Sequence, residues 1–422
     1  MVNVKTAVDC KTITAKGGRF RATVLIGFAE ALAAPEVVWS LVDGGFNVVA
    51  FGRRGRLSAL RHSRHVVIHD ICPPELDLKA AESDLQSLIA SLSGEKQCGQ
   101  RVLFPLDDTA VWLCNQVPLP PEWLLAGPQG ANAKLALNKH VQTQQALNAG
   151  FNVPEALFTR TTEEVFSACN AKSFPVILRP VECVPRSQNR VCKCRKWICA
   201  NQAELERAVR DWAGAVPLLV QPFICGIGEG IFGLATPDGI RAWSAHKRVR
   251  MMNPQGSGSS ACVSQPVPED LKLKVERLIK ESGWSGLFMI ESLRDASGTA
   301  WFVELNGRPW GSMALSRSQG LEYPAWQVEL AIEQQSQVGL TTLTAPGMVC
   351  KHVGREIMHL LFVLRGPKSK ALTNWPSIWK AIGDVLRVHR GDTIYNWRRE
   401  DPTVFLADCY YTVRENLLKP RS

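Results

Sequence analysis

The sequence predicts an α/β unit with a parallel sheet at the N-terminus, an α+β unit built on antiparallel strands after it, and a helical C-terminal segment. Three observations carry this. Strand and helix signals alternate through the first third of the chain. Two apolar strands, GLFMIES at 286–292 and the run opening at Trp301, are separated by the turn signal Ser297-Gly298. After about Gln337 the pattern turns helical and tryptophan-rich, with Trp375, Trp379 and Trp397.

In order along the chain, Ala22–Phe28 reads as a strand and Ala29–Asp43 as a helix stopped by Gly44-Gly45. Asn47–Gly52, Val66–His69 and Arg101–Pro105 read as further strands, with a helix over Leu78–Leu92. No G-x-G-x-x-G fingerprint accompanies this Rossmann-like alternation, so dinucleotide binding is not expected. Asp107 and Asp108 follow a strand, where either substrate contact or helix N-capping would use them. The Pro-rich stretch Val117–Pro121 marks a boundary, giving an expected first domain over 1–125. A helix over Lys139–Ala149 stops at Gly150. FPVILRP, Phe174–Pro180, is a β-branched strand ending in the cation Arg179, suited to a phosphate or to an ion pair. Val181–Val191 contains no glycine, whereas Gly226, Gly228 and Gly230 alternate in the next strand region. In Ala242–Arg250 strict alternation puts His246, Arg248 and Arg250 on one face, either a phosphate-binding face or an exposed basic strand. NPQGSGSS at 253–260 then reads as a flexible cover or a simple turn.

The most informative stretch is WFVELNGRPWGS. On a strand, Phe302, Glu304, Asn306 and Arg308 share one face, opposite Trp301, Val303 and Leu305. Upstream, Leu287, Met289 and Glu291 share a face, and antiparallel pairing brings Glu291 toward Glu304 and Asn306. Two carboxylates and an amide suit a Mg²⁺ ion that takes its remaining ligands from phosphate and water, with Arg308 offsetting the remaining negative charge.

This E-x-N-x-R run, with an acidic residue on the preceding strand, resembles the ATP-grasp superfamily of carboxylate–amine ligases, and most closely its carbamoyl-phosphate-synthase-like branch of amino-acid and peptide ligases. The resemblance runs from about Thr23 to about Ile332. It implies an ATP-grasp fold with an N-terminal pre-ATP-grasp domain, a core domain over 126–340 with a lid at about 155–225, and a helical extension over 341–422. It implies ATP and Mg²⁺, with Mn²⁺ as the alternative ion. Glu291, Glu304 and Asn306 would be the metal ligands. Lys139 and Arg179 would contact phosphates, Gln221, Phe223 and Ile224 would form the adenine-binding hinge, and Glu229 would meet the ribose. Arg308, Arg248 and Arg250 would be catalytic. The substrates implied are a small carboxylic acid and an amine, an amino acid or peptide, joined with release of ADP and phosphate in biosynthesis. A homodimer is implied as well. Three departures stand out: Asn138 where the family has Asp, Pro222 in place of the hinge acid, and the glycine-free 181–191 segment, where Arg186 or Arg190 would have to replace backbone contacts. They leave open a nucleotide-binding relative without turnover, and a thiol or hydroxyl nucleophile remains an alternative to the amine.

Composition sets the outer bounds. The chain has 422 residues, 45% hydrophobic and 21% charged, which describes an ordinary globular protein of two or three domains. No signal-peptide core or membrane-spanning run is expected, and the thirteen scattered cysteines read as reduced thiols of a cytoplasmic protein. Cys183, Cys192, Cys194 and Cys199 fit no common zinc spacing and read as small core residues. The net charge of +10 is dispersed and comes with no nucleic-acid-binding module, so anionic small molecules are the expected partners, with neither nucleic acid nor membrane.

Overall fold

Five short apolar runs near the N-terminus form a parallel sheet. They are β1 (Thr23–Gly27), β2 (Asn47–Arg53), β3 (Val67–Ile71), β4 (Arg101–Pro105) and β5 (Trp123–Leu125), in the order β3-β2-β1-β4-β5. The structure is a computed structural model that describes residues 20–94, 99–170, 174–192, 195–256, 258–333, 341–342, 346–367 and 375–418. Crossovers run through α1 (Ala34–Asp43), α2 (Leu78–Ser93) and α3 (Asp108–Cys114). Helix α1 begins five residues later than the sequence suggests. Ala34-Pro35 sets its first turn, and residues 28–33 form a bend in which the Ala29 N–H donates to the Phe51 carbonyl. The bend frees Glu30 to accept from the Arg53 N–H at 2.7 Å.

Helices α4 (Gly130–Leu137) and α5 (Lys139–Asn148) lead into a small second sheet, ordered β10-β7-β11-β6. Its strands are β6 (Leu157–Thr159), β7 (Val176–Pro180), β10 (Trp197–Cys199) and β11 (Leu218–Pro222), backed by α6 (Thr162–Asn170) and α7 (Gln202–Trp212). A two-stranded hairpin, β8 (Arg186–Ser187) with β9 (Arg190–Val191), projects from it. This unit buries its own core around Leu178, Leu205, Trp212 and Leu218.

The largest sheet runs β16-β15-β12-β13-β14-β18-β19, with β17 beside β13. Its strands are β12 (Ile227–Thr236), β13 (Gly239–Met251), β14 (Ser259–Gln265), β15 (Gly286–Arg294), β16 (Ala300–Asn306), β17 (Thr341–Thr342), β18 (Val349–Lys351) and β19 (Thr393–Ile394). Helix α8 (Glu269–Glu281) joins α4 and α5 on one face. The other face supplies Phe232, Leu234, Leu287 and Met289 to a core shared with α1 and the N-terminal sheet. Trp310 closes that joint, fully buried and in ring contact with Phe232 at 4.5 Å and Tyr323 at 5.0 Å. The Pro-Trp-Gly after the carboxylate strand is therefore core packing. The N-terminal sheet also has a core of its own, around Leu25, Phe51, Leu85 and Leu103.

After the short α9 (Met313–Arg317) and α10 (Tyr323–Glu333), the C-terminal part contains α11 (Val353–Arg365), α12 (Ile378–Leu386) and α13 (Pro402–Leu418). The expected helices are present, but β18 and β19 also extend the central sheet. No helix among the described residues is long and apolar enough to cross a membrane.

Candidate active site

Strands β15 and β16 pair antiparallel with Glu291 directly opposite Glu304 and Met289 opposite Asn306. Asn306 Nδ2 donates to Glu304 Oε1 at 3.2 Å, and Asn306 Oδ1 accepts from Arg308 Nη2 at 3.1 Å. Arg308 also grips Asp108 through Nε at 3.0 Å, tying the site to the N-terminal sheet. Burial pushes the Glu304 carboxyl up. Lys139, the Asn306 bond, Arg179 and Arg308 outweigh that and hold it below the usual glutamate value. Glu304 is thus an ionised carboxylate in a half-buried, cation-rich setting.

The cations arrive from separate elements. Arg179, at the end of β7, donates through both Nη atoms to the Val303 carbonyl at 3.2 and 3.3 Å, while its buried Nε has no partner. Lys139, the first residue of α5, lies 3.0 Å from Cys183 Sγ through Nζ. Burial pushes the Cys183 thiol up to about 11, although Lys139 works against that rise. Burial works against the Lys139 ammonium, but Cys183 and Glu304 together hold its pKa above the ordinary lysine value. Arg248 Nη2 meets Glu291 Oε2 at 2.8 Å.

That last contact explains one of the alternating glycines, Gly228. β12 lies between β13 and β15, so Arg248 must cross it to reach Glu291. A side chain at Gly228 would meet Arg248 Cδ at 2.7 Å, and one at Gly230 would meet Phe232 at 2.5 Å and His246 Nε2 at 3.2 Å. Glycine at 228 leaves the lane open for the guanidinium. His246 lines the same lane. It bonds Ser312 Oγ through Nδ1 at 3.0 Å, and burial, helped by Arg248, pushes its pKa down to about 3.

Several expectations need correction. Phe302 does not share a face with Glu304. Val303 has no partner on β15, and this bulge turns Phe302 into the core beside Leu305 while offering the Val303 carbonyl to Arg179. A second register shift, between Arg248 and Arg250, sets Arg248 opposite Cys262 and Arg250 opposite Ala261. The two arginines therefore leave β13 on opposite sides. Arg250 is held by Glu356 of α11 at 2.6 and 2.9 Å, with side chains only 11% and 5% exposed. Glu229 faces Ser292 and Lys247 across the ladders, not Glu291, and is gripped by Arg294 at 2.9 and 3.0 Å. In the hinge, the Gln221 side chain turns to the Pro154 carbonyl at 3.4 Å, and the Phe223 N–H is used by the Pro175 carbonyl at 3.0 Å. Phe223 and Ile224 are half-buried just beyond β11.

Asp107 caps α3 by accepting from the Ala110 N–H at 2.7 Å and also holds Arg53, whereas Asp108 serves Arg308. Among the described cysteines of the expected cluster, Cys183, Cys192 and Cys199 are free thiols, and Cys194 lies outside the described residues. Ser257 of the 253–260 loop lies outside them too. One residue was missed. Lys196, just before β10, feels Glu304 and Glu291 at its ammonium, although burial dominates and lowers its pKa. It lies beside Gly256 of the β13–β14 loop. The only sequence signal was its place in a basic run, which does not reveal what it faces.

No protein-family model matches the chain, and no curated protein matches it by sequence. Solved structures do match in shape. An ADP complex of N5-carboxyaminoimidazole ribonucleotide synthetase superposes with a TM-score of 0.57 at 13% identity, covering 87% of this chain and 96% of that one. This chain has the ATP-grasp fold. An L-amino acid ligase from Bacillus licheniformis gives 0.52 at 17% identity, over 75% of each chain. The biotin carboxylase domain of Hydrogenobacter thermophilus 2-oxoglutarate carboxylase, bound to MgADP, ADP and bicarbonate, gives 0.58 at 16% identity, over 76% and 72%. Strands β6, β7, β10 and β11 form the small antiparallel sheet beside the site, and β15–β16 carry the carboxylate pair.

Proposed function

We propose that this chain is an ATP-dependent carboxylate–amine ligase that forms an amide and releases ADP and phosphate. The observation that carries the reading is the half-buried Glu304, paired in register with Glu291, bonded to Asn306 and faced by Lys139, Arg179 and Arg308. The donor set fits Mg²⁺. Two carboxylates and one amide oxygen leave coordination positions for phosphate and water, as this ion prefers. The unpartnered Arg179 Nε supports an anionic ligand at the same place. Bound there by Glu291, Glu304 and Asn306, the ion would neutralise phosphate charge.

In this reading the γ-phosphoryl group of ATP leaves its bridging oxygen and bonds an oxygen of the substrate carboxylate, giving ADP and an acyl phosphate. Lys139, Arg179 and Arg308 stabilise the charge in transit, which is most of what phosphoryl transfer asks of a protein. The amine then attacks the acyl carbon, phosphate leaves with the bonding electrons, and the surplus ammonium proton passes to solvent. Arg248, aimed across Gly228, would steady the oxyanion of that second step. The hinge strand β11 and Phe223–Ile224 would take the adenine by apolar contact and the remaining backbone groups.

One observation favours a second reading, a nucleotide-binding relative without turnover. The segment after β7 is a hairpin fastened to the N-terminal domain in place of a glycine-rich loop. The test is ADP release from Mg-ATP with pooled carboxylic acids and amines, read beside mass spectrometry of products. A condensed product formed together with ADP supports the ligase. Tight Mg-ATP binding without release in any pool favours the second reading.

A further inference from the structure

The β8–β9 hairpin carries more than a fastening. Val191 N donates to the Pro74 carbonyl and Leu78 N to the Asn189 carbonyl, both at 2.8 Å, and Asn189 Nδ2 donates to Asp77 Oδ1 at 2.9 Å. Arg186 lies over the Trp112 ring at 4.8 Å. The turn is closed by two residues with positive φ, Gln188 at 49° and Asn189 at 58°, the geometry of a tight primed turn. This docking delivers Arg190 to a cleft of about 500 Å³ lined also by Arg54, Arg56, Glu75, Leu76 and Val191.

The charge of this cleft is unbalanced. Its carboxylate, Glu75, is already occupied by Arg53 Nε at 3.0 and 3.2 Å. Arg54 has one contact with Asp84 at 3.2 Å. No carboxylate of the described residues lies within ion-pair distance of Arg56 or Arg190. Three exposed arginines, Arg54, Arg56 and Arg190, thus line a space roomy enough for a ligand group, with the half-buried Val191 beside them. The cleft also connects to the carboxylate site. Glu75 holds Arg53, Arg53 holds Asp107, and the adjacent Asp108 holds Arg308, which holds Asn306. Arg54 and Arg56, Glu75, and Asp107 and Asp108 follow the C-terminal ends of β2, β3 and β4 respectively, the edge of a parallel sheet where ligands collect.

We propose that this cleft binds a second anionic group, a carboxylate or a phosphate, on the acid that is activated beside Glu304. The substrate class is then an acid with two anionic ends. The cleft binds one end, and Arg308 and Arg248 receive the other. This deepens the ligase reading and rests on it for the ligand's role as substrate. The anion site itself is independent of turnover.

The test titrates the full chain with inorganic phosphate, glutarate and acetate in the presence of saturating Mg-ADP, following binding by calorimetry. Arg56→Ala and Arg190→Ala should each weaken phosphate or glutarate about tenfold, the loss of one charge-assisted contact. The double variant should abolish binding, and Arg190→Lys should retain part of it. Tighter phosphate than glutarate identifies a phosphorylated acid, and the reverse order a dicarboxylic one. Mg-ADP affinity equal to wild type in every variant shows that the fold is intact. Anion binding that survives unchanged in the double variant, or acetate bound as well as glutarate and phosphate, overturns the proposal. Failure of Mg-ADP to bind the wild type, with anion binding still lost in the variants, would overturn the ligase reading and leave the anion site standing.

Discussion

Two charge clusters meet at the neighbouring residues Asp107 and Asp108, and they are built with opposite balances. Around Glu304, the cations Lys139, Arg179, Arg248 and Arg308 face Glu291, Glu304 and Asp108, and the orphaned atom is a donor, Arg179 Nε. Around Arg53, one guanidinium stacked on Phe28 at 3.7 Å serves Glu30, Glu75 and Asp107, and the orphaned atom is an acceptor, Glu30 Oε2. Burial holds the Glu30 carboxyl above its usual value despite Arg53. At Glu304 the cations outnumber the carboxylates, whereas at Arg53 a single guanidinium is shared by three carboxylates.

The comparison breaks most easily at its carboxylates. Glu304→Gln should cut ADP release by about a thousandfold or more, because in the proposed site it removes charge where the metal and phosphates would meet, with little change in melting. Glu30→Gln should leave the rate per folded molecule within a few-fold. Arg53→Met should act in the other currency. Leaving three carboxylates unpaired should cost about 3–5 kcal/mol in urea unfolding. Arg250→Ala should likewise cost about 3 kcal/mol through the orphaned Glu356 and spare kcat; a hundredfold fall in kcat without destabilisation would restore the catalytic role that the sequence suggested.

His246 sharpens the comparison through pH. Its folded pKa of about 3 lies below the unfolded histidine value near 6.5, so the unfolded chain binds the extra proton. The contribution is present above pH 6.5 and is lost as pH falls toward 3, at roughly 1.4 kcal/mol per unit. Chemical denaturation from pH 7 to 4 should show this slope, and His246→Gln should flatten it. The smallest effect is at Lys196. Lys196→Ala should raise the KM for ATP about tenfold with kcat little changed if the lysine only helps to hold phosphates.

The β15–β16 carboxylates were legible in the sequence because period-2 alternation and a short connector fix both faces and pairing. The same logic failed at Phe302 and Arg250, where bulges at Val303 and Val249 break the alternation. A bulge adds one residue and leaves no mark in composition. The parallel order of the first strands followed from their spacing, but the joint core through Trp310 did not, since burial between domains is a tertiary fact. Glu229 and Gln221 were placed by resemblance. Their partners Arg294 and Pro154 are distant in sequence, so local pattern does not reveal that their side chains are engaged. Lys196 was invisible for the same reason. Asn138, a departure from the family pattern, caps α5 by accepting from the Val141 N–H at 3.0 Å, as an Asp would.

If Glu304 and its neighbours form a magnesium–nucleotide site, Mg²⁺ and ADP should bind there together. Calorimetric titration of ADP into the full chain, with and without Mg²⁺, tests this, using Glu304→Gln as the comparison. ADP should bind at least tenfold more tightly with Mg²⁺ in the wild type, and the variant should lose that gain. Equal ADP affinity with and without Mg²⁺ in the wild type, or no ADP binding at all, would contradict it.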